Sequence, residues 1–508
     1  MASLVSSSLL LDVIGVIVAI IAVIYTWFKW SYGHWKRKNV PYIEPSFPFG
    51  NVAKSMAIDK ISFTDRTLGW YKFGKENKYK HFGLYFIKSP VLLVMDLENI
   101  KNILTTDFEH WVDRGNYVNE EGDPLSAHLL NIGGEKWKNL RKKFTPTFTS
   151  GKMKQMFKTI ADCSVSLDRV MEEKLKENKP LDIKTVAGNF TTDVIGSCAL
   201  GLECGSFKEE DSLFRVYGKR VFDSNHFDFM KMIFVNAWPE FAKSMNLKII
   251  PADVTNFFLS VVKNTVKYRR ENNVTRKDFL QILIDMEKEN YDGAGNSLTM
   301  NEMAAQALAF FVAGFESSAT TMTFTLFEMS QHQDVQDRVR QEVNEVLAKH
   351  NGEINYESIM EMKYMTQVIQ EALRKYPPIP DVSRRCVKEY KVPGTDLVLE
   401  EGTLAFIPIV GIHYDEDYYP NPTKFNPERF SHENKQKIKP FSYMPFGGGR
   451  RVCIGERFGL LQVKVGLTTF LKKYRYTLNK QTQLPLKMNP LNFITTVKGD
   501  VWLNYEKI

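Results

Sequence analysis

The chain has 508 residues, of which 44% are hydrophobic and 13% aromatic, and its formal net charge is +8. This is ample for a large core, and the basic residues are not gathered into a tail or an aromatic-interleaved stripe, which argues against a nucleic-acid partner. The charge instead favours an acidic protein or an anionic membrane surface. The five cysteines contain no C-x-x-C pair and the nine histidines no paired-ligand spacing, which argues against a disulfide framework and against a zinc or histidine-held metal site.

The N-terminal stretch from Leu9 to Trp30 is almost wholly apolar, and its length is about what a helix needs to cross a bilayer. The basic residues Lys36, Arg37 and Lys38 follow it, whereas no Lys or Arg precedes it. By the positive-inside rule, residues 1–30 are predicted to be a transmembrane anchor with a luminal N-terminus and a cytosolic body. A cleaved signal peptide is the alternative, but it would require a basic residue before the apolar run and a small-residue cleavage site after it.

Residues 31–50 are basic and rich in proline, which predicts a stiff hinge after the anchor. No linker, repeat or composition break follows residue 50, so residues 51–508 are interpreted as one domain. Two glycosylation sequons, at Asn189 and Asn273, would matter only if the predicted topology were reversed.

The body of the chain is predicted to be mainly helical. Two short apolar runs, Phe82–Phe86 and Val91–Val94, predict a β-hairpin, whereas most segments from Lys136 to Lys288 show helical spacing. Residues 207–250 are rich in Phe, Met and Trp. They could form a cover that touches substrate or membrane, or pack in the core.

Trp137 and Arg141 are four residues apart on a predicted helix and therefore share a face. The pair predicts that Arg141 binds an anion beside Trp137. A surface helix with a packed tryptophan is the alternative.

A capping box, Thr299–Glu302, predicts the start of the longest helix, and residues 303–315 are apolar nearly all round, as is typical of a buried helix. In its middle stands Ala313-Gly314-Phe315-Glu316-Ser317-Ser318. A carboxylate and hydroxyls are costly there unless satisfied, and glycine costs a helix roughly 1 kcal/mol relative to alanine. We therefore predict a local opening for a small ligand or water, with a proton relay beside it. Hydroxyls that bond to their own helix carbonyls are the alternative.

Glu371 and Arg374 lie three residues apart on another predicted helix, and Arg429 lies in a proline-flanked loop further along. Spacing alone is equally typical of a solvated surface pair. Pro377–Pro380 is predicted to end this helix, and Ser383–Arg385 to follow it in extended conformation.

One cysteine lies in a glycine-rich stretch that fills the pattern F-x-x-G-x-R-x-C-x-G. The five fixed positions are Phe446, Gly449, Arg451, Cys453 and Gly455. An apolar stripe over the following residues predicts an amphipathic helix; its members are Ile454, Phe458, Leu461 and Val465. Cys453 is therefore predicted at a helix N-terminus, where a thiolate is favoured and can be an axial ligand to haem iron. A buried structural cysteine is the alternative.

These motifs, in their order and spacing, resemble the cytochrome P450 family of haem-thiolate monooxygenases in its membrane-anchored, microsomal form. The resemblance covers essentially the whole chain. Pro124–His128 and Phe144–Phe148 are similar to the insect branch linked to the metabolism of foreign compounds. The implied fold is mainly α with small β-sheets, an N-terminal transmembrane anchor, and a haem-binding catalytic domain over residues 51–508.

The resemblance also implies roles for individual residues. Cys453 would be the proximal ligand of haem b, in a loop that includes Phe446 and Gly455. The haem propionates would be met by Trp137, Arg141, Arg384 and Arg451. A buried structural triad would consist of Glu371, Arg374 and Arg429. Ala313 and Gly314 would border the dioxygen site, and Glu316 and Ser317 would manage protons. The substrate pocket would be apolar and would include Phe310, Ala313, Val382 and Phe493.

The implied reaction inserts one atom of dioxygen into a lipophilic substrate, by hydroxylation or epoxidation, at the endoplasmic reticulum membrane. Electrons would come from NADPH through NADPH–cytochrome P450 reductase, with cytochrome b5 as a further candidate donor. The reductase would face basic residues near the ligand loop, namely Arg450, Arg457, Lys138 and Lys142.

One departure from the family pattern is Ser317, which stands where the family usually has threonine. Two rivals remain: a haem-thiolate isomerase or dehydratase that uses peroxides without a reductase, and a non-catalytic, membrane-tethered haem protein.

Overall fold

A computed structural model describes residues 2–52, 61–209, 212–222, 225–288 and 298–508. Residues 210, 211, 223 and 224 of the predicted cover segment lie outside the described residues. The first helices are α1 Ala2–Tyr32, α2 His34–Arg37, α3 Phe63–Glu76, α4 Leu97–Lys101, α5 Gly134–Phe144, α6 Ser150–Lys176 and α7 Ile183–Ile195. The middle helices are α8 Leu213–Arg220, α9 His226–Ala237, α10 Pro239–Ser244, α11 Ala252–Glu271, α12 Phe279–Lys288 and α13 Met300–Gln331. The last helices are α14 Gln333–Lys349, α15 Tyr356–Glu361, α16 Lys363–Lys375, α17 Ile409–His413, α18 His432–Lys435 and α19 Glu456–Leu471.

Short strands complete the secondary structure. Their bounds are β1 His81–Phe86, β2 Ser89–Val94, β3 Leu181–Asp182, β4 Val382–Arg385, β5 Tyr390–Lys391, β6 Val398–Leu399, β7 Leu404–Ile407, β8 Tyr474–Leu478 and β9 Trp502–Lys507. In the described chain they form three sheets, in the orders β1-β2-β7-β4, β3-β9-β8 and β5-β6. Strands β1 and β2 are the predicted hairpin, β2 and β7 pair in parallel, and β4 pairs antiparallel with β7. The predicted class, mainly α with small sheets, is confirmed.

Helix α1 contains the segment Leu9–Tyr32, which is long and apolar enough to cross a membrane, with a mean hydropathy of 2.7. Most of it is exposed, as an anchor would be, but Phe28 near its end is buried against the body. The connection that follows is docked rather than free: Trp35 is fully buried, and its indole N–H donates to the Leu84 carbonyl on β1 at 3.0 Å. The apolar helix is therefore joined to the body through a packed segment.

Helix α13 is the central element of the larger core. The predicted capping box forms at its start: the Thr299 hydroxyl accepts from the Glu302 N–H, while the Glu302 carboxylate accepts from the Thr299 N–H. Of the stretch 303–315 that the apolar pattern predicts to be buried, Met303–Leu308, Phe311 and Phe315 are buried, whereas Ala313 is exposed. The Ser- and Thr-containing stretch from Ser318 to Ser330 is buried as well. Close packing against α7 requires a glycine, because a Cβ on Gly314 would lie 2.5 Å from the Ile195 side chain.

Candidate haem-thiolate site

The Cys453 loop is shaped by its glycines. Gly447 and Gly449 have φ of +74° and +69°, a region that other residues rarely adopt, and a Cβ on Gly449 would clash with the Leu104 carbonyl oxygen. The Cys453 N–H donates to the Phe446 carbonyl at 2.9 Å, which closes the loop. Helix α19 begins at Glu456, after Cys453 and Gly455. The cysteine therefore precedes the helix, as predicted.

The apolar stripe needs one correction. Phe458, Leu461 and Val465 are buried on α19 as expected. Ile454 belongs to the turn before the helix, since Gly455 occupies the N-cap. Its side chain is half-buried and packs against the core from that turn.

The Cys453 side chain is accessible to water-sized molecules, yet it lies deep within the protein. Burial raises the pKa of its thiol, whereas a hydrogen bond from the Gly455 N–H and the positive charges of Arg114 and Arg141 act in the opposite direction. Accessibility combined with strong desolvation means that the sulfur faces an internal space. A cation on the sulfur would remove the cost of the thiolate, because metal coordination deprotonates thiols.

Four arginines surround this space: Arg114, Arg141, Arg384 and Arg451. Two of them are tied to the cysteine loop, since Arg141 donates to the Val452 carbonyl at 2.8 Å and Arg114 to the Arg451 carbonyl at 3.0 Å. Burial and the charges of neighbouring arginines lower the pKa of Arg114 to about 10 and that of Arg451 to about 9. The same causes lower the pKa of Arg384 well below its usual value. The cluster is thus short of negative charge.

Asp113 makes only a loose ion pair with this cluster. Asp113 approaches Arg451 only at 3.8 Å, and it also accepts a hydrogen bond from the Gly134 N–H. Three buried guanidinium nitrogens have no hydrogen-bond partner among the described residues: Arg384 Nε, Arg451 Nε and Arg451 Nη1. Unpaired buried donors of this kind indicate a place for an anion.

These observations fit a haem with two propionates. The cluster offers unpaired guanidinium donors, and Cys453 offers a sulfur at the edge of the same internal space. Three of the predicted propionate ligands, Arg141, Arg384 and Arg451, are brought together as expected. Trp137 contributes differently: its ring lies 4.0 Å from the Arg451 guanidinium and supports that group from one side.

Sequence reasoning missed two members of this cluster. Arg114 belongs to none of the sequence motifs described above. His128 was named only as part of a family stretch. Burial, together with the charge of Arg114, lowers the pKa of His128 to about 4, so that the imidazole is neutral at pH 7.

The central helix presents Ala313 to the interior. This residue is exposed, although most of its helix is buried, so it also faces an internal space. The Ser317 hydroxyl donates to the Ala313 carbonyl at 2.7 Å, and the Thr321 hydroxyl donates to the Ser317 carbonyl at 2.8 Å. The helix is α-helical throughout, so the predicted opening is not a break in it. The alternative, hydroxyls bonded to their own helix carbonyls, is what the hydrogen bonds show.

Glu316 has a charged neighbour that the sequence did not indicate. Arg215 on α8 is buried, and in the described parts of the chain its Nη1 atom has no hydrogen-bond partner. Burial lowers the pKa of Arg215, and the negative charge of Glu316 opposes that shift. On the other side of the helix, the Gln462 side chain donates to the Gly314 carbonyl at 2.7 Å and to the Ser318 hydroxyl at 2.5 Å. The acid is therefore close to α8, and the helix backbone is fastened to α19.

Glu371, Arg374 and Arg429 form a buried ion-paired group. The first two are fully buried, and Arg374 donates Nε to Oε2 and Nη2 to Oε1 of Glu371 at 2.8 and 2.9 Å. Arg429 Nε lies 3.4 Å from Glu371 Oε1. Arg374 also donates to the carbonyls of His413 and Pro422, at 2.8 and 2.7 Å. The surface-pair alternative is wrong.

His413 links this group to the cysteine loop. Its Nε2 accepts from the Met444 N–H at 2.9 Å, so Nδ1 carries the proton and donates to the Arg374 carbonyl at 3.1 Å. Burial and the charge of Arg374 lower the pKa of His413 to about 3. A neutral histidine thus holds two chain segments together, and no spacing in the sequence indicated it.

The predicted pocket residues do not form one cluster. Phe310 packs among Phe144, Phe148 and Phe279, with the Phe279 ring stacked at 4.8 Å. Phe493 instead contacts Phe222, which in turn contacts Phe315 of α13. Val382 lies 3.6 Å from the Cβ position of Gly447, beside the cysteine loop. Phe310 and Phe493 therefore belong to different aromatic groups, and Phe315 is linked to Phe493 through Phe222.

The basic residues predicted to meet an acidic partner fall into two pairs. Lys138 and Arg450 approach Glu109 at 3.0 and 3.4 Å, so their charges are partly balanced. Lys142 and Arg457 are exposed, and among the described residues no ion pair involves them. Lys142 and Arg457 are therefore more available to an acidic partner than Lys138 and Arg450.

Comparison with known proteins agrees with this geometry. A sequence model of the cytochrome P450 family matches residues 72–503. Probable cytochrome P450 6a14 of Drosophila melanogaster is 38% identical over 98% of this chain and 100% of its own length. Cytochrome P450 6A1 of Musca domestica is 39% identical over 94% of this chain and 95% of its own length. Cytochrome P450 6a2 of Drosophila melanogaster is 37% identical over 97% of this chain.

Proposed function

The chain belongs to the cytochrome P450 family of monooxygenases, and from that premise we propose that it oxidises lipophilic compounds with dioxygen and with electrons that a flavoprotein reductase takes from NADPH. The observation that carries the proposal is the accessible but deeply enclosed Cys453 beside four arginines that are short of negative charge. This arrangement suits a haem held through sulfur on one face and through its propionates at one edge.

Each part of the site has a task in this reaction. Cys453 would hold the haem iron, and the arginine cluster would hold the propionates; the bound haem supplies the activation of dioxygen and the transfer of one oxygen atom to a C–H bond or a double bond. The Gly455 N–H and the nearby guanidinium groups stabilise negative charge on Sγ. On helix α13, Ala313 leaves space in the interior because its side chain is small.

Proton delivery is assigned to Ser317 and Glu316. The Ser317 hydroxyl hydrogen is engaged with the Ala313 carbonyl, but its oxygen can still accept a hydrogen bond from a water molecule. That water would be held beside Ala313, and Glu316 would resupply its proton. The charge of Glu316 in turn opposes the lowering of the Arg215 pKa by burial.

The enzyme is proposed to act at the endoplasmic reticulum membrane, with residues 1–30 as the anchor and the catalytic domain, residues 51–508, in the cytosol. The apolar helix Leu9–Tyr32 and the basic cluster after it support this placement. Lys142 and Arg457 would contribute to the face that meets the acidic reductase, with cytochrome b5 as a second candidate donor for the same face. A role in the metabolism of foreign or endogenous lipophiles is proposed from the resemblance of Pro124–His128 and Phe144–Phe148 to the insect branch.

Oxidation under labelled dioxygen tests the proposal. Membranes that carry the chain and a matched reductase are given NADPH and a panel of lipophilic compounds under ¹⁸O₂. We expect products that contain one ¹⁸O atom, formed only when both NADPH and reductase are present. Products formed from peroxide alone, unaffected by reductase, would instead identify an isomerase or dehydratase. No consumption of dioxygen with any reductant would identify a non-catalytic haem protein.

A further inference from the structure

Asp381 is a carboxylate in a wall that is otherwise largely apolar. It stands between Pro380 and Val382, directly before strand β4. Burial raises its pKa to about 7, yet its side chain is partly accessible to solvent. Like Cys453, it therefore borders an internal space rather than the outer surface. No hydrogen bond or ion pair to its carboxylate is formed by the residues that the structure describes.

The chain around Asp381 runs between the cysteine loop and the turn that carries Phe493. The side chain of Val382, the next residue, lies 3.6 Å from the position that a Cβ on Gly447 would occupy, and consecutive Cα atoms are about 3.8 Å apart. On the other side, the Pro378 carbonyl accepts from the Thr495 N–H at 2.9 Å. That contact brings the turn that carries Phe493 alongside, and Phe493 reaches Phe315 on α13 through Phe222.

An unpaired carboxylate in such a place is costly, and a bound cation would offset the cost. A metal ion is an unsuitable occupant, because in the described chain no group of three or more His, Cys, Asp or Glu side chains could hold one. The neighbours Ile379, Val382 and Phe493 are apolar and partly accessible. They suit the hydrocarbon part of an organic cation.

We propose that Asp381 is the subsite for the ammonium group of lipophilic, cationic substrates. The inference rests on the proposed function, and it adds a substrate class to it. The chain would oxidise amines whose hydrocarbon part lies toward Cys453 while the charged nitrogen is held at Asp381. Neutral lipophiles would bind in the same space without this contact.

Two ligands of the same shape, one charged and one neutral, distinguish the effect of charge on binding from the effect of shape. One carries a trimethylammonium group on a phenylalkyl chain, and the other carries the uncharged tert-butyl group on the same chain. Neither has a nitrogen lone pair that could bind iron. Their dissociation constants are measured by equilibrium dialysis with the purified haem-loaded protein at pH 8, where the Asp381 carboxylate is mostly ionised, given its pKa of about 7.

We expect the parent to bind the ammonium ligand more tightly than its isostere. Asp381→Asn should weaken the ammonium ligand by about tenfold and the isostere by less than about twofold, whereas Asp381→Glu should keep the preference. Asp396→Asn is the matched control, because that carboxylate is fully exposed on the β5–β6 hairpin.

The outcomes are distinct. Equal binding of the two ligands by the parent, or equal weakening of both by Asp381→Asn, would overturn the subsite and leave the monooxygenase function intact. Binding of neither ligand by the parent would contradict the apolar substrate site of the proposed function as well. The parent's own preference is independent of whether any variant folds.

Discussion

At the scale of single residues, the arginine cluster makes an unusual prediction. Arg384→Gln should weaken haem binding by about ten- to a hundredfold, since charge-assisted hydrogen bonds contribute roughly 1.5–3 kcal/mol each. The same change should leave the haem-free protein at least as stable, because it removes a buried charge that Arg114 and Arg451 repel. Haem transfer to apomyoglobin and thermal unfolding of the haem-free form measure the two effects.

Arg475→Gln is the control for this substitution, because Arg475 pairs with Asp337 at the surface. It should leave haem transfer unchanged. If Arg384→Gln retained haem as well as the parent, or destabilised the haem-free protein, the cluster would not be an anion site.

Ser317 is expected to govern how efficiently electrons yield product. Ser317→Ala removes the oxygen that would hold the proton-donating water but barely changes volume, so haem content and substrate affinity should survive. NADPH oxidation should continue with less product and more hydrogen peroxide or water, whereas Ser317→Thr should couple at least as well as the parent. Product formed per NADPH consumed is the measurement.

Ser330→Ala removes a similar helix-bonded hydroxyl from the far end of α13, about 20 Å away at the usual rise per residue. This variant should form as much product per NADPH consumed as the parent does. Normal coupling in Ser317→Ala would assign proton delivery to another group, with Ser318 and Thr321 the next candidates.

At the scale of elements, the buried group of Glu371, Arg374 and Arg429 fixes α16 to the segments that lead to the cysteine loop. Glu371→Ala leaves two arginines without their counter-charge, which typically costs about 3–5 kcal/mol. The variant should therefore lose haem or fail to fold, rather than show a selective catalytic defect. Haem content per polypeptide and the midpoint of thermal unfolding are the measurements.

Glu361→Ala provides the comparison, because Glu361 is half-exposed and pairs only with His350 among the described residues. Its effect should be within about 0.5 kcal/mol. Normal haem content in Glu371→Ala would show that the triad does not support the haem domain.

Several features of the fold and of the site could be predicted from the sequence, because the residues that indicate them lie close together in the chain. The capping box of α13, the β1–β2 hairpin and the spacing of Glu371 and Arg374 each lie within a few residues. The burial of that ion pair could not be read from spacing, since it depends on Arg429, 58 residues further along. Arg114 donates a hydrogen bond to the Arg451 carbonyl, 337 residues further along the chain. The contacts of His413 are likewise with residues that are distant in the sequence.

Phe310 shows a different limit. Residues 303–315 are apolar nearly all round, so the sequence does not indicate which face of α13 meets the substrate space. Successive helical residues are rotated by about 100°, and Phe310 and Phe315 consequently lie on different sides. Only the packing partners, Phe279 for one and Phe222 for the other, separate them.

At the scale of the whole molecule, the proposed topology makes the body accessible from the cytosol. Protease added to sealed microsomes should digest the chain beyond about residue 30, and both sequons should carry no glycan. The described structure places Asn189 within α7 and Asn273 just after α11. Glycan at either asparagine, or protection of the body in sealed vesicles, would reverse the orientation.

The central claim is that Cys453 binds haem iron through a thiolate. The reduced carbonyl complex of the purified protein reports this directly, because an anionic sulfur ligand gives it a distinctive absorption band. The parent should show the thiolate-type band, and Cys453→Ser should lose it, since a hydroxyl cannot replace the thiolate. Cys386→Ser, which changes a buried cysteine next to β4, should keep it. Retention of the band in Cys453→Ser, or its absence from the haem-loaded parent, would contradict the assignment.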